Sequence, residues 1–236
     1  MGGLRVLGVI PARGGSKGIP RKNLKLLNGK TLIAYIIEVA LKAKTLSRLI
    51  VSTDDEEIAD TARKLGAEVP FLRDPELARD EVSLIPVAKH AMESMDKLGW
   101  QAGIIVSLQS TAPFTEPEDI DNAVNKLIET GCDSVVSVFG AERPHPYRAL
   151  RLEGERLLPL HPEGFRFLQR QDLPTFYALS GGIYVRRRKL LGEWNGKDFA
   201  LGEDIRAVII PQERAVDINT PLDFLVAEAL IENRGL

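Results

Sequence analysis

Short β-branched runs alternate along the chain with stretches whose apolar residues recur every three or four positions. That alternation predicts a mostly parallel sheet covered by helices on both faces. The first predicted strand is Arg5 to Ile10, and Leu32, Ile36, Val39, Ala40 and Ala43 then mark one face of an amphipathic helix. Leu49 to Thr53 predicts a second strand. Asp54 and Asp55 place carboxylates at the positive end of a helix reaching about Leu65, and Gly66 ends it. Val69 to Leu72 predicts a short strand, Ser83 to Leu98 a helix, Gly103 to Leu108 a buried strand, and Pro117 to about Thr130 a helix. Strand character returns at Ser134 to Phe139, Gly182 to Arg187 and Ala207 to Ile210, and Pro221 opens a C-terminal helix at a favoured first-turn position. Arg143 to Phe176 breaks the rhythm with five prolines and a hairpin signal at Glu153-Gly154. That stretch predicts an arm, about residues 141–178, inserted in a single domain spanning residues 1–236.

Composition narrows the partners. Lys and Arg number 31 against 33 Asp and Glu, so a net charge of -2 gives no overall field for nucleic acid or an anionic membrane. Any anion must be held by a local cluster. The one cysteine, Cys132, can form no internal disulfide and has no metal-ligand spacing, which favours a reducing cytoplasm. The longest apolar stretch, Leu32 to Leu41, is broken by Glu38 and is about half the length of a bilayer span, and Val6 to Ile10 is too short for a signal sequence. No membrane association is expected.

The strongest chemical signal is the loop Pro11 to Asn23 behind the first strand. Ligands of open α/β sheets bind beyond the carboxyl ends of the strands, where this loop lies. Its glycines let backbone N–H groups approach an anion, and Arg13, Lys17, Arg21 and Lys22 bring four positive charges. Two readings are open on composition alone: a grip for polyphosphate, or a basic surface turn. Neither common nucleotide loop fits. Leu24 occupies the first glycine position of a P-loop ending at Gly29-Lys30-Thr31, and Arg13 stands where a dinucleotide loop needs glycine.

The run IPARGGSKGIPRKN resembles the N-terminal signature of the cytidylyltransferases that activate sialic acid and related 2-keto sugar acids. VSTDDEEIADTARKLGAEV, FLRDPELARD, SLQSTAPF, LSGGIYV and VDINTPLDF resemble further blocks of that family, in its order, over nearly the whole chain. The resemblance implies an α/β, three-layer, Rossmann-like nucleotidyltransferase sheet with a protruding dimerisation arm. It implies transfer of CMP from CTP to the anomeric hydroxyl of a nine-carbon sugar acid, with Mg²⁺ as cofactor and pyrophosphate as leaving group. Ala12, Arg13, Gly14, Ser16, Lys17, Lys22, Asn23 and Arg73 would bind CTP, with Arg13, Lys17 and Asp217 as catalytic groups.

Asp217 would also hold the metal, a carboxylate being the ligand hard Mg²⁺ prefers, although a turn cap is the alternative for this residue. Asn219 stands where the family has a second metal carboxylate, so one ligand becomes neutral. Asp223 reads as a solvated helix residue. Gln109, Ser180, Tyr184 and Phe199 would face the sugar, with Ser180 replacing a family asparagine. Arg148 and Arg170 match basic residues that the family presents from the arm, implying a homodimer with sites completed in trans; the alternative is exposed hairpin charge. The run Arg186 to Lys189 reads as a solvated strand-to-helix corner, and His145, between two prolines, as structural. Other sugar nucleotidyltransferases, including those for the eight-carbon acid Kdo, and a non-catalytic nucleotide-binding module are the competing readings.

Overall fold

Val6 and Ile10 pack on one side of the first strand and Leu7 and Val9 on the other, and all four are buried. A strand apolar on both faces must be covered on both. In the computed structural model, which describes residues 4–234, this strand is β1 (Val6–Pro11). The chain continues through a two-residue ribbon, β2 (Leu26–Leu27) and β3 (Lys30–Thr31), then α1 (Leu32–Lys42), β4 (Arg48–Ser52), α2 (Glu56–Lys64) and α3 (Leu84–Lys97). Next come β5 (Ile104–Leu108), α4 (Pro117–Thr130) and β6 (Ser134–Ala141). A hairpin of β7 (Leu150–Glu153) and β8 (Arg156–Pro159) precedes β9 (Phe176–Arg187), α5 (Arg188–Gly192), β10 (Ile205–Ile209) and α6 (Pro221–Arg234).

The main sheet has the order β10-β6-β9-β5-β1-β4. β4 and β5 are parallel to β1, β10 is parallel to β6, and β9 alone runs against its neighbours. The apolar faces of α1, α2 and α4 cover one side and those of α3 and α5 the other, giving the three-layer, mostly parallel α/β arrangement expected. α6 packs elsewhere, closing Ile19, Leu27, Leu32 and Phe114 against Phe224 and Ala227. The loop behind β1 is thereby pinned to the start of α6.

Three local readings change. Val69 to Leu72 forms no strand: after one bridge between Ile50 and Glu68, Pro70 offers no N–H to continue the ladder, and the chain rejoins only where Arg73 N–H donates to Thr53 O. The strand read from Gly182 begins earlier, because Phe176 to Leu179 pair with the end of β6 past the last pairing with β5. The resulting two-stranded ribbon carries residues 142–175. The arginine run is not a solvated corner. Arg186 is 1% exposed and donates to the carbonyls of Phe199 and Ala200, Arg187 donates to those of Cys132 and Leu127, and Arg188 pairs with Asp96. Burial beside the Tyr184 ring pulls the Arg186 guanidinium down to about 10.

Candidate active site

The loop behind β1 is shaped by contacts that hold its backbone. Ala12, buried, donates its N–H to Ser52 O, and the buried Asn23 amide donates to Arg13 O while accepting from the Ser110 hydroxyl at 2.6 Å. Asn23 therefore ties the loop to the exit of β5. Gly14 N–H donates to Asp54 Oδ1. At Gly18 an added Cβ would lie 2.3 Å from the carbonyl oxygen of Asn219, so only glycine permits this approach. Arg21, in the left-handed region at φ 53°, turns away to Asp55 and Glu57 at the start of α2. It braces the loop against α2.

Arg13, Gly15, Ser16, Lys22 and Asn23 form one wall of a cleft of about 230 Å³, and Leu77, Asp80, Val82 and Ser83 face them across it. Arg73, Gln109, Ser110 and Thr111 also line it. Arg13 and Lys17 both pair with Asp80, at 2.7 and 2.8 Å. The hydrogen bond to Asp80 raises the Lys17 ammonium above its ordinary value, and the same bond lowers the Asp80 carboxyl. Arg73 is 4% exposed, its one acid is Asp54 at 3.4 Å, and its Nε is buried without a partner. Burial lowers its pKa, and lowers that of Lys22. Two desolvated cations at one cleft stabilise an anion more strongly than exposed ones would.

Behind Lys22 lies the second chemical group. Its ammonium donates to Ile218 O at 2.8 Å and to Asn219 Oδ1 at 3.2 Å, and Asn219 Nδ2 donates to Asp217 Oδ2 at 2.7 Å. Asp217 Oδ1 is buried without a hydrogen-bond partner. An orphaned carboxylate oxygen is costly and fits a ligand for a hard cation. Among the described residues no group of three or more His, Cys, Asp or Glu could hold a metal. The chain's share of a magnesium site would thus be Asp217 and the Asn219 amide, with phosphate oxygens as further ligands. Asp223 is not simply solvated: its Oδ2 accepts from the N–H groups of Asn219 and Thr220 and from the Thr220 hydroxyl, fixing the turn that presents Asp217.

The residues assigned to the sugar are spread more widely. Gln109 lines the cleft and donates to Gly181 O at 2.6 Å, and Gly181, at φ 78°, brings β9 against Asp217. Ser180 is buried in a hydroxyl pair with Ser137, at the irregularity where β6 and β9 change register. Tyr184 is buried with Val136 and Val138, and Phe199 lines a neighbouring pocket with Leu77, Val82 and Ser83. Arg148 and Arg170 lie on the arm beside His145 and Leu173, Arg170 paired with Glu142. His145 donates to Pro174 O and accepts from Tyr147 N–H, a role internal to the arm. Neither arm arginine lines the cleft. Sequence reasoning does not identify Asp54 and Asp80 as site groups, because each is distant in sequence from the loop residues it meets.

The family model described as cytidylyltransferase matches residues 7–146. The CMP-N,N'-diacetyllegionaminic acid synthase of Legionella pneumophila is 36% identical over 97% of this chain and 97% of its own length. The pseudaminic acid cytidylyltransferase of Campylobacter jejuni is 32% identical over 96% of each chain. A solved CMP:2-keto-3-deoxy-manno-octonic acid synthetase complexed with CTP superposes with a TM-score of 0.74 at 20% identity, covering 98% of this chain and 99% of its own, which is a likeness of fold.

Proposed function

This chain belongs to the cytidylyltransferase family, and from that premise we propose that it transfers CMP from CTP to the anomeric hydroxyl of a sialic-acid-like 2-keto sugar acid, releasing pyrophosphate. One P–O bond forms at the α-phosphorus as the α–β bridging bond breaks, and the hydroxyl gives up a proton. The observation that carries the reading is the convergence of Arg13, Lys22 and Arg73 on one cleft beyond the carboxyl ends of β1 and β5. Charge that builds on phosphoryl oxygens in the transition state would meet cations already fixed in place. Asp217 and Asn219 would hold Mg²⁺, which lowers the cost of charge on the α-phosphate and the leaving group. Gln109, hydrogen-bonded to β9, would present its remaining amide capacity to an N-acyl or hydroxyl group.

Several features extend this reading. Arm arginines Arg148 and Arg170 would reach the carboxylate of sugar bound to a second copy, making a homodimer the working unit. No helix among the described residues is long and apolar enough to cross a membrane; the cytoplasm is the proposed location, on the lone buried thiol of Cys132. The relatives named for legionaminic and pseudaminic acids favour a nine-carbon acceptor over one of the Kdo type. Incubation with Mg²⁺, CTP and a panel of eight- and nine-carbon sugar acids should release pyrophosphate only with the nine-carbon acids. Release with Kdo alone would move the assignment to that class, and release with none, despite CTP binding, would leave a nucleotide-binding module.

A further inference from the structure

Asp80 holds an unusual place for an acid. It lies on the wall of the cleft that faces the phosphate loop, and its two carboxylate oxygens are divided between Arg13 and Lys17, Oδ1 to the first and Oδ2 to the second. The neighbouring cation, Arg79, is paired with Glu76 instead, so Asp80 is committed to the loop. Arg13 also donates weakly to Ala78 O at 3.5 Å, which adds the backbone of the same segment to the contact. A carboxylate spanning two cations presents them with what two phosphoryl oxygens would present.

We propose that Asp80 is an internal counter-anion that competes with phosphate for Arg13 and Lys17, so that the segment Pro75 to Ser83 yields these cations to the triphosphate and reclaims them from the departing pyrophosphate. The proposal rests on the reading of the loop as a CTP cradle. Its consequence is a lowered hold on pyrophosphate, the product whose polyphosphate part is best matched to the loop. Both pairs are partly solvated, with Lys17 largely exposed and Asp80 about one-third exposed, so each is worth little alone and the two can be exchanged for a stronger anion. The residue thus sets selectivity between states of charge rather than touching the reacting atoms.

Calorimetric titration of CTP, inorganic pyrophosphate and cytidine, with chelator present, tests this on native protein, D80N and D80S, each first shown to unfold cooperatively. Both variants should bind CTP and pyrophosphate roughly three- to tenfold more tightly than native protein, with cytidine unchanged and the gain shrinking at high salt. Equal or weaker pyrophosphate binding by both variants would overturn the proposal, because Asp80 would then be ordering the cations for the ligand or standing idle. A parallel gain for cytidine would overturn it too, by showing a general opening of the cleft. Uptake of CTP by native protein with either result would leave the nucleotide reading standing, whereas no uptake of CTP by any of the three proteins would remove both.

Discussion

At the scale of single residues, the cleft depends on groups whose roles differ although their sequence surroundings are alike. Arg13, Lys17, Arg21 and Lys22 read as one cationic set, yet Arg21 braces α2, Lys22 is half-buried and bonded to Asn219, and Arg13 and Lys17 share an acid. Local composition could not separate them, because the separation is made by Asp55, Asp80 and Asn219, which are distant in sequence. Gly18 is a sharper case. A methyl group there would sit 2.3 Å from Asn219 O, a main-chain atom held by the turn that Asp223 fixes. Gly18→Ala should cost about 1–3 kcal/mol of stability, as overpacking does, and should lower CTP affinity by about tenfold, since the phosphate loop can relieve the clash only by leaving Asp217. Denaturant unfolding and CTP titration check the two parts. Native affinity in this variant would show that the approach of loop and turn is not needed for nucleotide binding.

At the scale of elements, amphipathic periods located the helices well, because α1, α2, α3 and α4 each bury one face against the sheet. β9 was read only in part: its second half is apolar and central, whereas its first half pairs with β6 alone and has Tyr177 and Leu179 exposed, a pattern that a proline-rich stretch disguises. The arginines after it misled for a related reason. Buried guanidinium groups that satisfy carbonyls carry no signal in composition. The start of α2 was legible and is testable. Asp55 accepts from Ile58 N–H and from Arg21. Burial pushes its carboxyl up, but the Ile58 and Arg21 bonds outweigh this and the net shift is downward from 3.8. A folded-state value below the unfolded one adds stability that is present above pH 3.8 and lost as pH falls through the lower folded value. Asp55→Ala should therefore destabilise by about 1 kcal/mol at neutral pH, with the gap to native protein closing only in acid. Unfolding measured from neutral pH to below that value checks it; a gap that persisted at the acid end would assign the loss to packing.

At the scale of the whole molecule, the cleft's cations suit phosphate, and among the described residues lining it none is left over for the carboxylate of a sugar acid. Arg73 is buried and Lys22 half-buried, Arg13 is shared with Asp80, and Arg79 is paired with Glu76. Arg148 and Arg170 are held on an arm whose apolar residues lie open, Leu152 at 68% and Leu168 at 86% exposure. Apolar surface of that kind suits burial against a second copy, and a symmetric pair of arms would carry each pair of arginines toward the other protomer's cleft. Lys17→Ala and Arg170→Ala, each inactive alone, should then complement when co-expressed. Random pairing makes half of the dimers hybrids, and each hybrid assembles one intact site of two, so roughly a quarter of native turnover is expected. Turnover of isolated hybrids, tagged differently on the two chains, is the measurement, and in that pure fraction the expectation rises to roughly half of native turnover. Hybrids that form but stay silent would mean that loop and arm arginine must belong to one chain, and the arm would then serve assembly without completing the site.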